Sequence, residues 1–147
     1  MIYPFSMIRQ QLETLYLQSG FEQSLRHWAD RPNFDDILTD IYDRQVWKNF
    51  ENSNNSTKFF RSEVADLHLR LMLNLDWFQP FEGTVHSTGV IYAAICNLPR
   101  DIRFKRENLL ILGVLSGLNE VSLHRINHYL APIVDDLKSL WSSVTLN

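Results

Sequence analysis

Asp76 is the residue whose type and place in the chain point most directly to chemistry. It follows a run in which leucine occupies every second position from Leu67 to Leu75. An alternation of period two places the five leucines on one face of a β-strand and Asp76 on the other. A carboxylate near the end of a strand can bind a divalent cation, as the acids of several nuclease-like folds do. The alternative is an aspartate that only ends the strand and starts a turn, because aspartate favours turns.

The one basic cluster of the chain lies in a polar connection that precedes an apolar run. It consists of Arg100, Arg103, Lys105 and Arg106. Such side chains can contact the phosphates of a nucleic acid. Asp101 and Glu107 lie next to these residues and reduce the net positive charge of the segment. The alternative is therefore a solvated loop without a binding role.

Two histidines and two aspartates near the end of the chain are weaker candidates for a site. His124 and His128 are four residues apart on a predicted helix and could share a metal ion. Neither a cysteine nor the glutamate of an HExxH pattern accompanies them, so surface or packing roles are the default. Asp135 and Asp136 are expected on the solvated side of the same helix.

Composition restricts the classes of function. The chain has 147 residues, 45% of them hydrophobic, and a net charge of −3 with the acidic excess in residues 1–66. This is the size of about one domain without the broad basic surface of a strong DNA-binding domain. A nucleic-acid role must therefore be local or belong to a larger assembly. The single cysteine excludes an internal disulfide and a cysteine-rich zinc site.

No targeting or membrane segment is evident in the sequence. The opening MIYPFSMIRQ lacks the basic start and apolar core of a signal peptide. No apolar run approaches the ~20 residues of a membrane span. We therefore expect an intracellular protein with no membrane partner.

Residues 1–58 are predicted to form a helical segment. Apolar spacings of three and four indicate helices over residues 6–19, 21–30 and 36–50. The polar residues 51–58 then form a loop, which is the best candidate for a domain boundary.

Residues 59–147 are predicted to form a sheet followed by a helix. The leucine run, residues 90–96 and residues 109–115 read as strands, and a helix reaches about residue 142 with Pro132 inside it. The expected fold class is therefore α+β, with a three-stranded antiparallel sheet and a C-terminal helix. This order matches the opening of the ribonuclease-H-like fold, whose first strand carries the first metal-binding acid.

Five blocks over about residues 40–142 resemble, in order and spacing, the CACTA-type (En/Spm) DNA transposases. The blocks are DIYDRQVWKNF (40–50), LNLDWFQPF (73–81), YAAICNLPR (92–100), ENLLILGVLSG (107–117) and INHYLAPIVDDLKSLW (126–141). The resemblance implies a ribonuclease-H-like core that holds Mg²⁺ or Mn²⁺ on three carboxylates and acts on DNA in the nucleus. Asp76 falls at the aspartate of the family's DGFNPF-like block, which implies the first catalytic metal ligand.

The chain also departs from the family's pattern. Arg44 and Trp77 replace glycines, residues 116–118 replace a Pro-Gly-Pro turn, and the sequence stops at Asn147. The family's later acidic residues are missing, so we expect a truncated ribonuclease-H-like unit that is inactive alone.

Three hypotheses follow from these patterns. The first is a transposase-derived fragment with Asp76 at the first metal site. The second is a non-catalytic interaction module that forms a homo-oligomer, or binds a full-length transposase, through an exposed sheet edge. The third is an unrelated α+β binding domain.

Overall fold

The fold is α+β, as predicted. The computed structural model describes residues 7–32, 37–52, 56–79, 87–117 and 123–142. Within these ranges the α-helices are α1 (Ile8–Tyr16), α2 (Phe21–Asp30), α3 (Gln45–Lys48), α4 (Arg100–Arg103) and α5 (Leu123–Trp141). Short 3-10 helices cover Ile41–Asp43, Ser62–Val64 and Arg106–Asn108. The strands are β1 (Leu71–Phe78), β2 (Ser87–Ile95) and β3 (Leu109–Gly117).

The three strands form one antiparallel sheet in the order β1-β2-β3, so β2 is central. Alternate residues of β2 are almost completely buried, namely Ile91, Ala93 and Ile95. The central strand therefore carries the sheet's part of the apolar core, as its apolar sequence indicates.

The strand that contains the leucine run begins later in the sequence than predicted. Leu67 is part of a turn, because its backbone N–H donates to the carbonyl of Val64, and β1 starts at Leu71. Leu67 and Leu69 therefore do not share a strand face with the later leucines. Leu73 is also 46% exposed, so the leucine face is not uniformly buried. The backbone N–H groups of Leu67 and His68 both donate to the carbonyl of Val64, and this turn takes the place of the first predicted strand residues. The alternation of side chains does not reveal such a turn.

The described chain divides into two compact units. The first unit comprises Met1–Leu17, Leu73–Ala93 and Leu109–Asn147, and the second comprises Gln18–Met72 and Ala94–Asn108. The domain boundary predicted near residue 58 stays a prediction. None of the helices in the described ranges has the length and apolar character needed to cross a bilayer.

In the first unit, α1 contacts both α5 and β3. Its apolar stripe of Ile8, Leu12 and Leu15 is buried, as the spacing of three and four predicts. The side-chain amide of Gln11 on α1 makes two hydrogen bonds with the backbone of Ile111, at 2.9 and 2.8 Å. The amide bonds to β3 much as a neighbouring strand would. It thereby satisfies the backbone N–H and C=O groups of Ile111 at the outer edge of β3.

The second unit is built around an aromatic cluster. Trp47 is buried and stacks on Phe60, with ring centroids 4.0 Å apart, and Trp28 and Tyr42 meet it edge to face. Cys96 is buried against the same cluster. These rings supply a core to a unit that has little regular secondary structure.

The third helix predicted for residues 36–50 is wrong in extent. Residue 36 lies outside the described residues, and residues 37–40 are not helical. The Asp43 carboxylate accepts hydrogen bonds from the backbone N–H groups of Thr39 and Asp40, and the Asp40 carboxylate accepts one from Ile41. These local side-chain bonds compete with helix formation, leaving a 3-10 turn followed by the short α3.

Candidate functional site

The register of β1 against β2 determines which residues surround Asp76. The backbone N–H of Cys96 donates to the carbonyl of Arg70 at 2.8 Å. Four residues further along β1, the side chain of Asn74 is hydrogen-bonded to the hydroxyl of Tyr92. Both contacts fit one antiparallel register, so this pairing runs along β1 without a bulge between them.

Asp76 lies on β1 on the same face as Asn74, and Val90 is opposite it on β2 in this register. Its side chain is exposed and makes no hydrogen bond or ion pair with any residue that the structure describes. The prediction that this carboxylate is carried by a strand is confirmed. The carboxylate is therefore carried by a regular strand and exposed to solvent.

The described residues do not complete a metal site around Asp76. Among them, no three His, Cys, Asp or Glu side chains come together in a way that could hold a metal ion. Mg²⁺ requires about six oxygen ligands and usually takes one or two carboxylates together with waters and phosphate oxygens. Asp76 is suited to be one such ligand.

Trp77 lies on the opposite face of β1 and packs across the sheet onto Gly89. Three atoms of its indole ring are 3.0 Å from the position that a Cβ on Gly89 would occupy. The indole ring thus covers a glycine on the neighbouring strand, in the same register as the Asn74–Tyr92 contact. This packing gives Trp77 a structural role beside Asp76.

The predicted basic cluster separates into two parts. Arg100, Lys105 and Arg106 are exposed, and so is the ring of Phe104 between them. Arg103 is only 4% exposed, and its guanidinium is bonded within the protein. Arg103 is therefore not accessible to phosphates, and only the other three residues remain available for nucleic acid.

Arg103 is the centre of a buried polar network in the second unit. Its guanidinium donates to the carboxylate of Asp40 at 2.9 Å, to the hydroxyl of Tyr42 at 2.7 Å and to the carbonyl of Leu98 at 3.0 Å. The Tyr42 hydroxyl in turn donates to the Leu98 carbonyl at 2.6 Å. A buried charge is tolerable when it is paired and hydrogen-bonded in this way.

Burial and this network shift several pKa values. Burial raises the pKa of Tyr42 to about 12, against the opposing effect of the Arg103 charge. Burial by itself would lower the pKa of Arg103, but Tyr42 and Asp40 outweigh it and raise that pKa. Burial raises the pKa of the Cys96 thiol. The arginine is thus held charged and the phenol and thiol neutral, which suits structural roles.

Asn97 is a second buried hub in this unit. Its side-chain oxygen accepts from the backbone N–H of Arg70 at 2.9 Å, and its amide donates to the carbonyls of His68 and Ala65 at 2.9 and 3.2 Å. Asn97 is completely buried. These bonds join the residue two positions after β2 to the segment that leads into β1.

The weaker candidates of the C-terminal helix have simpler roles. His128 is exposed, and the side chain of His124 lies outside the described residues, so the alternative of a shared metal ion stays untested. Asp135 is exposed and pairs with Lys138 at 3.2 Å. Asp136 is half-buried and accepts a hydrogen bond of 2.6 Å from the backbone N–H of Ile8, at the start of α1. Only Asp135 has the solvated position expected of both.

Sequence reasoning missed Asp40, Tyr42 and Asn97 as organising residues. They lie in the first and third of the five blocks, DIYDRQVWKNF and YAAICNLPR, and the Tyr42 hydroxyl joins these two blocks in the second unit by its bonds to the carbonyls of Asn97 and Leu98. The available signal was that these polar residues stand among apolar ones in the sequence. A polar side chain that is buried needs hydrogen-bond partners, so such residues are candidates for a buried network.

Comparison with known proteins identifies the family. A family model described as "Transposase family tnp2" matches residues 35–146. The chain belongs to this transposase family. The match spans most of the chain and includes Asp76, the exposed basic residues and both blocks of the buried network. No curated protein and no solved structure shows significant similarity to the chain.

Membership of a transposase family excludes the third hypothesis, in which the likeness to transposases was misleading. The remaining question is how this transposase-family chain uses the strand that carries Asp76. The first two hypotheses give different answers, because one requires a metal ligand and the other requires an open sheet edge.

Proposed function

We propose that the chain provides the first part of a metal-dependent DNA-processing core of the CACTA (En/Spm) type, with a ribonuclease-H-like fold. The observation that carries this proposal is the placement of Asp76, an exposed carboxylate that bonds to none of the described residues, on the first strand of the sheet. The strand order β1-β2-β3 is compatible with such a core. Asp76 is then the first ligand of a catalytic Mg²⁺ or Mn²⁺.

The chemistry would be phosphoryl transfer on DNA. Two divalent ions supply an activated hydroxyl nucleophile and stabilise the leaving oxygen when they are bound. The part of this chemistry assigned to the present chain is to hold one carboxylate on a rigid strand. Because the described residues bring only this carboxylate to the site, we infer that the chain alone neither cleaves DNA nor transfers strands.

DNA is the partner that this function requires, and the nucleus is the compartment in which it would act. Arg100, Lys105 and Arg106 are the side chains we propose for contacts to the phosphate backbone, since all three are exposed. Phe104, 53% exposed beside them, adds a ring that could stack on an unpaired base.

Calorimetric titration with Mn²⁺ tests the metal-binding proposal. The wild-type chain should bind the ion weakly, and Asp76→Asn should abolish binding, because the amide lacks the negative charge that attracts the ion. Asp135→Asn is the matched control, since Asp135 is an exposed carboxylate on α5 that we assign no site. Equal binding by wild type and Asp76→Asn contradicts the assignment.

A second function, as a non-catalytic interaction module, is favoured by a different observation. β1 is an edge strand in the described sheet and exposes Met72, Leu73 and Phe78 by 45–47%. Exposed apolar side chains on an open edge favour pairing with another chain. In this role the protein would bind another transposase-family chain, and binding to a purified longer family member would test it.

A further inference from the structure

Phe104 is an exposed aromatic side chain with cations on both sides of it in the sequence. Its ring is 53% exposed and makes no ring contact with any residue that the structure describes. Arg100 precedes it, Lys105 and Arg106 follow it, and the side chains of all three are exposed. An aromatic face among cations is the combination with which proteins bind single-stranded nucleic acid, because the ring stacks on a base and the cations pair with phosphates.

The turn that carries Phe104 is fixed by buried neighbours in the second unit. Directly before it, the side chain of Arg103 is anchored in the buried network described above. Directly after it, the backbone N–H of Lys105 donates to the carbonyl of Ile102 at 3.1 Å. The buried side chain of Asn108 donates to the same carbonyl at 2.9 Å. The backbone beneath the ring is therefore pre-organised, which reduces the conformational entropy lost when a ligand binds.

The charges around Phe104 indicate that this turn is a solvated surface. Asp101 and Glu107 are exposed, as the three cations are. Burying so many charges beneath another part of the protein costs free energy unless each charge gains a partner. The ring is thus presented to water, and a ligand that covers it removes apolar surface from water.

We propose that, within the DNA role proposed above on which this step rests, the turn takes DNA in its unpaired form. Phe104 stacks on a nucleobase, and Arg100, Lys105 and Arg106 pair with phosphates of the same strand. Stacking needs a base with a free face, whereas in a duplex the neighbouring pairs cover both faces of each internal base. Because every base offers such a face when it is unpaired, the binding should tolerate any sequence.

Insertion of the ring between the base pairs of a duplex is disfavoured by the charge available. Separating a stacked step costs free energy, which minor-groove proteins offset by wide contacts to the bent backbone. Here three exposed cations stand beside two exposed carboxylates, and the net charge of the sequence is −3. So small a basic surface does not offset the deformation of a duplex, and unpaired bases require none.

Abasic DNA separates stacking from attraction to phosphates. Fluorescence anisotropy should compare an oligothymidine strand with a strand of abasic sites of equal length, which keeps the phosphates and lacks the bases. The wild-type chain should bind oligothymidine about tenfold more tightly, since a base stacked on an aromatic ring contributes about that much or more. Phe104→Ala should bind both strands equally, and as weakly as the wild-type chain binds the abasic strand.

Two further variants identify the aromatic ring as the cause. Phe104→Trp should retain the preference for oligothymidine. Phe104→Leu, which stays apolar without an aromatic face, should lose the preference, and it covers the case in which the alanine variant does not fold. Val46→Ala is the matched control, because Val46 is 57% exposed and stands between Arg44 and Lys48 in the sequence but has no ring. It should bind both strands as the wild-type chain does.

Equal binding of the two strands by the wild-type chain overturns the stacking proposal, and so does a preference that Phe104→Leu retains. Tighter binding of a duplex than of oligothymidine, lost in Phe104→Ala, also overturns it, because the ring then acts between base pairs. In each of these cases the wider DNA role survives if replacing Arg100, Lys105 and Arg106 with glutamine still weakens binding. If the chain binds none of these DNAs, the DNA role fails as well.

Discussion

Arg103 and Asp40 form a buried ion pair in which the guanidinium lies 2.9 Å from the carboxylate, although 63 residues separate them in sequence. The pair joins the DIYD segment to the end of α4. Asp40 belongs to the first family-like block, and its partner Arg103 lies just after the third.

Asp40→Ala should destabilise the protein by about 3 kcal/mol, because it leaves the Arg103 charge buried without its partner. Urea unfolding followed by tryptophan fluorescence measures this loss. Arg106→Ala is the control for an exposed charge, and it should change the free energy of unfolding by less than about 0.5 kcal/mol. Equal small effects for the two variants would contradict the buried pair.

The Tyr42 network should make stability depend on pH in alkali. Burial raises the pKa of Tyr42 from 10.0 to about 12, so the folded state retains the phenol proton more tightly than the unfolded state. This contribution is complete below pH 10 and is lost as pH rises from 10 towards 12.

Urea unfolding of wild type and Tyr42→Phe across this range isolates the effect. The variant should be less stable than wild type below pH 10, since it lacks the hydroxyl that bonds Leu98 and Arg103. The difference should shrink as pH rises through the pKa of Tyr42. A constant difference would contradict the raised pKa.

Asp136 should stabilise the first unit by capping α1. Its carboxylate accepts a hydrogen bond from Ile8, whereas Met7 at the N-cap position provides no side-chain bond. Asp136→Ala should therefore cost about 1 kcal/mol, the usual value of a helix cap. Asp135→Ala, which removes only an exposed pair with Lys138, should be nearly neutral in the same thermal unfolding measurement.

The exposed basic residues should contribute to any DNA binding through phosphate contacts. Replacing Arg100, Lys105 and Arg106 with glutamine should weaken binding at low salt and reduce the salt slope by up to about 3. Fluorescence anisotropy with duplex DNA at several salt concentrations measures both quantities. The matched control replaces three other exposed cations, Arg44, Lys58 and Arg61. An equal loss in both triple variants would indicate only non-specific attraction.

Local patterns predicted much of the fold. The bounds of α2 are as predicted, and the apolar run after Asn108 forms β3. Both predictions rest on apolar spacing and on helix-ending residues, which depend only on neighbours in the sequence. The third helix was predicted too long, since side chains of Asp40 and Asp43 bond the backbone in a way that periodicity does not reveal.

The environment of the site residues was less predictable. In the sequence, Arg103 is a basic residue in the same polar segment as Arg100 and Arg106, and nothing local distinguishes it from them. Its burial depends on a partner, Asp40, that is 63 residues away. The position of Asp76 on a strand could be predicted because alternation fixes its face. That no described residue bonds to its side chain could not be predicted, since this depends on which distant residues the fold brings near.

Paramagnetic line broadening by Mn²⁺ tests the central proposal most directly, because it locates even a weakly bound ion on the strand. In the spectrum of the wild-type chain, we expect the amide signals around Asp76 and its neighbour Val90 to broaden first, and this selectivity to disappear in Asp76→Asn. Broadening centred elsewhere, or unchanged in Asp76→Asn, would contradict the assignment of Asp76 as a metal ligand.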